Sequence, residues 1–207
     1  AMPAIMKEAL ETIYRRRGFD EIWGTKPEGG TFPCFDDLLE VLPEIIKSSE
    51  YSQEVQGNYT GALVTGVKSL TNGIYSVIFT DDELSDAELF DDDVIIDLSR
   101  VGSEETKSLI MGFTITRLAE YRSVSGLMNS PLKHITLLEE AHHILGRQTQ
   151  ASSPDTGNMR ATSVEMLSNA IREMKTYGEG FIIADQSSSV MDPSVLSNTQ
   201  TKVFFMM

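Results

Sequence analysis

The pattern of apolar and polar residues divides the chain into a helical first third and a longer region in which strands and helices alternate. In the first third, apolar residues recur every three or four positions, which is the period of an amphipathic helix. Helices are predicted over residues 3–17, 35–46 and 52–70, with a kink or break at Pro43. Residues 1–73 are therefore predicted to form a helical subdomain.

From residue 74 onward, short apolar runs alternate with segments of helical periodicity. Continuous apolar runs are typical of strands that are buried on both faces of a parallel sheet. Predicted helices begin at Ser103, at Ala141 and at a capping box formed by Thr162 and Glu165. The predicted strands are residues 75–79, 94–98, 135–138, 181–184 and 202–205. The alternation predicts an α/β fold with parallel β-α-β units, so residues 74–207 are predicted to form half of a doubly wound domain.

Composition limits the functions that are open to this chain. The 207 residues carry a net charge of −14, which argues against nucleic-acid binding over most of the surface. The single cysteine, Cys34, can form no internal disulfide, and the chain has neither a signal peptide nor an apolar run of about 18 residues. We therefore expect a cytoplasmic protein without a membrane span. Because the last residues have the character of a buried strand, we also expect the chain to be a piece of a longer protein.

Candidate chemistry lies where the mostly apolar run of residues 135–138 meets two adjacent acids, Glu139 and Glu140. This is the layout of a Walker B strand in a P-loop ATPase, in which the strand carries acids to the edge where open α/β sheets bind ligands. One acid holds Mg²⁺, usually through water, and the next orients or deprotonates the attacking water. The same pattern also fits a strand that runs into an amphipathic helix with a solvated acidic start.

A second group of motifs follows within residues 171–205. It consists of Tyr177-Gly178, Ala184-Asp185-Gln186-Ser187, Asp192-Pro193, Leu196-Ser197-Asn198 and Thr201-Lys202. With the acids upstream, these motifs resemble the HerA/FtsK superfamily of P-loop motor ATPases, and most closely its HerA and conjugation or type IV secretion branch. In that family, the strand that corresponds to residues 181–184 ends in Ala-Thr-Gln-Ser, where this chain has Ala184-Asp185-Gln186-Ser187. The resemblance covers residues 90–207, just over half of the chain.

The resemblance implies a partial RecA-like P-loop NTPase domain that uses ATP and Mg²⁺. It implies a hexameric ring with sites between subunits, acting as a translocase for DNA or for protein. Glu139 matches the acid near Mg²⁺, and Glu140 matches the catalytic acid. Gln186 matches the polar sensor that contacts the γ-phosphate or the attacking water, a task that suits an amide because it both donates and accepts hydrogen bonds. Because both residues follow adjacent parallel strands, Glu140 and Gln186 are expected to lie close together at the carboxyl edge of the sheet.

Two features of the family are altered or missing in this sequence. Relatives usually place an arginine finger where this chain has Lys175, and a lysine cannot make the planar bidentate contact of a guanidinium. Arg172, one helical turn earlier, is the alternative finger. No Walker A loop occurs, and the nearest imitation, Gly24–Thr31, is interpreted as a plain loop. The true loop is expected upstream of residue 1, with residues 1–73 as a helical insertion.

Two other functions remain open at this point. One is a non-catalytic interaction module that keeps the half-fold as a scaffold, because a fold does not determine a function. The other is a metal-dependent hydrolase that uses the acids and the histidines His134, His142 and His143. The histidines lack the His-Glu-x-x-His spacing that places two ligands on one helix face, so no metal site is predicted from them.

Overall fold

The computed structural model separates the chain into two compact units, Ala1–Glu83 and Leu84–Met207. The described residues are 2–20, 22, 24–73, 75–80, 84–124, 128–147, 154–186 and 188–204, with no side-chain description for residues 154–161 and 188. The first unit is helical in its described part, and the second combines helices with a parallel pair of strands. The predicted α/β class with a helical N-terminal part is thereby confirmed at that level. Among the described residues, none of the helices combines the length and the hydropathy of a membrane span.

The first unit is built from helices whose buried residues recur at helical spacing. They are α1 (Met2–Arg16), α2 (Phe35–Ser48), α3 (Gln53–Tyr59), a π-helical turn (Thr60–Val64), α4 (Thr65–Thr71) and the short α5 (Tyr75–Ile78). The core consists of Ile5, Ala9, Ile13, Leu38, Val41, Leu42, Ile46 and Val67. The three predicted helices are confirmed, and α2 continues through the exposed Pro43.

The strand predicted at residues 75–79 is wrong, because this segment forms the helical turn α5. The N–H of Phe79 donates to the carbonyl of Tyr75, 2.9 Å away, so the backbone is satisfied locally rather than by a neighbouring strand. A short, mainly apolar segment forms a strand only where a partner strand supplies the hydrogen bonds.

In the second unit, two parallel strands pack against two long helices. Strand β1 (His134–Glu139) pairs with β2 (Glu179–Ala184), in a register that runs from His134 opposite Glu179 to Glu139 opposite Ala184. The remaining elements are α6 (Asp86–Phe90), α7 (Glu104–Val124), α8 (His142–Leu145), α9 (Pro154–Met174), α10 (Pro193–Asn198) and the 3-10 turns Lys175–Tyr177 and Ser188–Val190. The predicted strands at 135–138 and 181–184 and the predicted helix after Ser103 are confirmed.

The core of this unit lies between one face of the strand pair and the helices α7 and α9. Leu138 of β1 packs with Ile115 and Leu118 of α7 and with Ile171 and Met174 of α9. Alternate residues point to the other face, where the side chains of Ile135, Leu137 and Ile182 are about half exposed.

A glycine joins α9 to β2. Gly178 ends the 3-10 turn with a φ of 89°, in the left-handed region that favours glycine, and a Cβ at this position would clash with the carbonyl oxygen of Pro131. The carbonyl of Gly178 accepts a hydrogen bond of 2.8 Å from the N–H of Lys133, just before β1 begins. The start of β2 is therefore held beside the start of β1.

Two further predicted strands and one predicted helix start are wrong. Residues 94–98 are not a strand, and Ile95 is 94% exposed, because this run lines a groove of about 620 Å³ together with β1 instead of bonding to it. Residues 201–204 have no regular structure, and residue 205 lies outside the described residues. Thr162 does not cap a helix, because α9 already begins at Pro154, a residue whose fixed φ suits the first helical turn.

Candidate functional site

The candidate site lies at the carboxyl ends of β1 and β2. Glu139 and Ala184 are paired in the register, so the next residues along each strand, Glu140 and Asp185, leave the sheet side by side. Open α/β sheets bind ligands outside the carboxyl ends of their strands. The site is thus placed where the fold presents side chains from both strands to the same space.

Glu140 turns the chain sharply between β1 and α8. Its φ is 50°, which is the left-handed region that a non-glycine residue occupies at a cost of about 1–2 kcal/mol. The Nε2 atom of Gln186 donates a hydrogen bond of 2.8 Å to Oε1 of Glu140. The sequence-based expectation that these two side chains meet at this edge is confirmed.

His142 and Asp185 form a second pair at the same edge. The sequence analysis considered His142 only for the metal-dependent hydrolase and gave Asp185 no role. The backbone N–H of His142 donates to Oδ2 of Asp185 at 2.9 Å, and the ring Nδ1 lies 2.9 Å from the same oxygen. The side chain of Asp185 is only 7% exposed. The available signal was the aspartate at residue 185, at a position where the motif that the sequence resembles has threonine.

The two pairs are joined through the imidazole of His142. Its Nδ1 lies 3.4 Å from Oε2 of Glu140, so one ring atom stands between two carboxylates. One donor atom from each of Glu140, His142 and Asp185 lies within 4.8 Å of the other two. The site therefore offers two carboxylates, one imidazole and one amide within a few ångströms.

Glu139 is exposed at the last position of β1 and lines the groove together with Glu140 and His143. Its carboxylate has no hydrogen-bond partner among the residues that the structure describes. Carboxylate oxygens are the ligands that Mg²⁺ prefers, usually with several waters retained on the ion. Glu139 has the chemistry and the exposure that its predicted role near Mg²⁺ requires.

The adjacent histidine, His143, is directed to a different partner. Its Nδ1 lies 2.9 Å from Oε2 of Glu104, at the start of α7, although the rings of His142 and His143 are close neighbours with centroids 4.4 Å apart. A hydrogen bond from Lys107 and, to a smaller extent, the charge of His143 hold the pKa of Glu104 below its ordinary value. His143 therefore links α8 to α7 and contributes no ring nitrogen to the pair at Asp185.

The two basic residues predicted as alternative arginine fingers are both exposed, but they differ in their contacts. Nζ of Lys175 donates to the backbone carbonyl of Asn198 at 2.9 Å, which fastens the end of α9 to the end of α10. Arg172 lies in the last turn of α9 with its side chain exposed. In the part of the chain that the structure describes, neither forms a hydrogen bond with Glu140 or Gln186.

The opposite end of the strand pair holds another ionic cluster, which sequence reasoning also missed. The fully buried carboxylate of Glu179 accepts hydrogen bonds from Thr136 at 2.7 Å and from Nε of Arg122 at 3.0 Å, and it lies 2.7 Å from Nδ1 of His134. Arg122 also donates to Asp91 at 2.7 Å. Burial lowers the pKa of Arg122, but the two carboxylates outweigh it and raise the pKa above its ordinary value.

Comparison of the chain with protein-family models, with curated proteins and with solved structures finds no match.

Proposed function

We propose that this chain is the catalytic half of a RecA-like P-loop ATPase of the HerA type, which works as a hexameric motor. The observation that carries the proposal is the contact between Gln186 and Glu140 at the carboxyl ends of two adjacent parallel strands. Glu139 stands beside them with an exposed carboxylate. An acid for the metal, an acid for the water and an amide sensor are the groups that this chemistry requires at this edge.

Glu140 and Gln186 divide the work of positioning the attacking water. Gln186 donates its N–H to one oxygen of Glu140, which leaves its own carbonyl oxygen available to accept a hydrogen bond from water. The carboxylate of Glu140 accepts the second water proton and acts as the general base. The left-handed turn at Glu140 fixes the direction in which the side chain leaves the backbone, so this arrangement is formed before a substrate binds.

Glu139 would hold Mg²⁺, most simply through a water molecule. When bound, the ion supplies positive charge to the phosphate oxygens. The described residues do not provide a loop for the phosphates themselves. Gly24–Thr31 lies between α1 and α2 with no strand before it, so it lacks the strand–loop–helix context of a P-loop. The proposal therefore assigns phosphate binding to a Walker A loop outside these 207 residues, and the isolated chain is expected to bind Mg-ATP weakly or not at all.

A subunit-bridging cation completes the proposed mechanism. The exposed guanidinium of Arg172 is the better candidate, since Lys175 is held by the carbonyl of Asn198. In a ring, such a cation reaches the phosphates that are bound by the next subunit. The energy of hydrolysis would drive translocation of DNA, or of protein in a secretion or conjugation apparatus.

The decisive experiment replaces Glu140 with glutamine in the intact protein. Glu140→Gln is expected to lower kcat by about 100- to 1,000-fold, or about 2.7–4 kcal/mol, while ATP affinity stays nearly unchanged. Steady-state hydrolysis and nucleotide titration measure the two quantities. Glu120→Gln, an exposed change on α7, is the matched control and is expected to keep full activity. Unchanged hydrolysis by Glu140→Gln would remove Glu140 from the mechanism.

A mixing experiment tests the cation in trans. Arg172→Ala is expected to retain ATP affinity and lose turnover, whereas Lys175→Ala keeps most of its turnover. Mixing Arg172→Ala with Glu140→Gln subunits is expected to restore part of the activity, because some mixed interfaces then carry both intact groups. If the wild-type intact protein hydrolyses no ATP, the half-fold serves as a non-catalytic interaction module instead.

A further inference from the structure

We propose that Glu140, His142 and Asp185 bind one divalent transition-metal ion, of the class of Zn²⁺, Co²⁺ or Ni²⁺. This site is separate from the role of Glu139 near Mg²⁺, and it requires neither nucleotide nor a second subunit. Its donors are one imidazole nitrogen and two carboxylate oxygens. They lie just beyond the carboxyl ends of the adjacent strands β1 and β2. The inference goes beyond the proposed ATPase function and does not depend on it.

The spacing of the donor atoms matches the coordination shell of a small ion. Nδ1 of His142 lies 2.9 Å from Oδ2 of Asp185 and 3.4 Å from Oε2 of Glu140. Ligands at about 2.0–2.2 Å from a tetrahedral ion are roughly 3.3–3.6 Å apart, and those of an octahedral ion are roughly 2.8–3.1 Å apart. The two measured distances cover this range. All three atoms lie within 4.8 Å of one another, so they can form one face of a coordination polyhedron after small side-chain adjustments.

The backbone prepares the site for an ion. Oδ2 of Asp185 accepts the backbone N–H of His142, and this bond remains when the ring nitrogen turns its lone pair to a metal. Binding then requires that the ring proton reside on Nε2, together with the small side-chain adjustments that bring the three donor atoms around one ion. Gln186 holds the other oxygen of Glu140 through its N–H, as the outer hydrogen bonds of metal sites commonly do. Three protein ligands leave at least one position of the ion open to water.

The donor set also discriminates between ions. Imidazole favours Zn²⁺, Co²⁺, Ni²⁺ and Cu²⁺, whereas Mg²⁺ and Ca²⁺ prefer sites built from oxygen alone. The carboxylate of Asp185 is nine-tenths buried, so its charge is poorly hydrated and gains more from a neighbouring cation than an exposed carboxylate does. His143 provides a built-in comparison, because its Nδ1 faces Glu104 instead.

Metal binding has one consequence for the proposed ATPase. An ion at this site would engage the carboxylate of Glu140, which is the proposed general base, and would therefore inhibit hydrolysis. This consequence rests on the proposed function, but metal binding itself does not. The two can accordingly fail independently.

The test uses the 207-residue chain, without a histidine tag and freed of metal with a chelator. Co²⁺ is titrated while the visible absorption of the ion is recorded, and Zn²⁺ is titrated by calorimetry. The expected result is one bound ion per chain, with no comparable signal from Mg²⁺. His142→Ala and Asp185→Asn are each expected to weaken binding at least tenfold, and His143→Ala to leave it unchanged.

Circular dichroism and urea unfolding establish that each variant is folded. His142→Gln provides a second ligand deletion if Asp185→Asn does not fold. The proposal is overturned if the wild-type chain binds no Co²⁺ or Zn²⁺. It is also overturned if His143→Ala weakens binding as strongly as His142→Ala, or if all variants bind equally, which would indicate adventitious binding by the acidic surface. None of these outcomes bears on whether Glu140→Gln lowers the rate of hydrolysis in the intact protein.

Discussion

The two ends of the strand pair carry nearly the same pair of side chains and use them differently. At the amino end, the carboxylate of Glu179 lies 2.7 Å from Nδ1 of His134, and at the carboxyl end that of Asp185 lies 2.9 Å from Nδ1 of His142. At the amino end, Arg122 and Thr136 complete the shell around the carboxylate. At the carboxyl end, a second carboxylate, Glu140, approaches the imidazole instead.

The difference lies in how the negative charge is balanced. The carboxylate of Glu179 is buried, paired with a guanidinium and hydrogen-bonded at both oxygens, so the loss of a partner destabilises the fold. Two carboxylates around one imidazole leave negative charge in excess, which a bound cation can balance. The same residue types thus become a structural cluster at one end of the strands and a candidate site at the other.

The largest effect is expected from breaking the amino-end cluster. Glu179→Ala leaves the buried guanidinium of Arg122 with only part of its partners and removes the acceptor of Thr136, so we expect a loss of about 3–5 kcal/mol in the free energy of unfolding. Urea denaturation of the chain measures it. Glu139→Ala, at an exposed position of the other end, is the control and is expected to stay within about 0.5 kcal/mol. Equal effects of the two changes would contradict the contrast between the ends.

A smaller effect of opposite sign is expected at the carboxyl end. Glu140→Gly removes the steric cost of the left-handed backbone, with φ at 50°, and should raise the free energy of unfolding by about 0.5–1 kcal/mol. The same denaturation experiment applies. Asn129→Gly, at a φ of 56° away from the site, is the matched backbone control and is expected to give a smaller gain, because asparagine tolerates this region. A destabilised Glu140→Gly chain would show that the side chain is needed for folding.

The smallest effect is expected from the rim of the amino-end cluster at acid pH. A hydrogen bond from the hydroxyl of Tyr121, followed by one from Arg122, holds the pKa of Asp91 below its ordinary value of 3.8. The stability from this group is therefore fully present above about pH 4 and is lost as the pH falls through the lower pKa of the folded state. Asp91→Asn is expected to make the free energy of unfolding fall slightly less steeply at acid pH. The effect is small because the side chain is 50% exposed.

The matching control keeps Asp91 and removes its first hydrogen-bond donor. Tyr121→Phe should shift the acid loss of stability toward higher pH, because the pKa of Asp91 moves back toward its ordinary value. Unfolding midpoints measured across acid pH distinguish the three chains. If the unfolding midpoints of all three chains fall in the same way at acid pH, other carboxylates are responsible for the loss of stability.

Local pattern was enough to predict the two strands and the meeting of Glu140 with Gln186. Each strand is an apolar run that ends in polar residues, and the carboxyl ends of parallel strands share one edge. Local pattern failed for residues 94–98, because an apolar run becomes a strand only when its hydrogen bonds reach a partner, and here a groove lies between the run and β1.

The ionic contacts at both ends of the strand pair could not be predicted from any single segment of the sequence. The contact of His142 with Asp185 depends on the left-handed turn at Glu140. Glutamate seldom adopts this conformation, so the residue type at this position does not predict the turn. The contact of Arg122 with Glu179 joins residues 57 positions apart, from a helix and a strand whose relative placement follows only from tertiary packing.

Gly178, at the amino end of the strand pair, influences which side chains meet at the carboxyl end. It fixes the alignment of β2 with β1 at their first residues, through its carbonyl bond to Lys133 and its close approach to Pro131. A slip of one residue at that point would turn every side chain of β2 to the opposite face and would shift Gln186 along the strand direction, away from Glu140. The position of Gly178, eight residues before Gln186 and at the far end of the strands, therefore determines how accurately the acids and the amide meet.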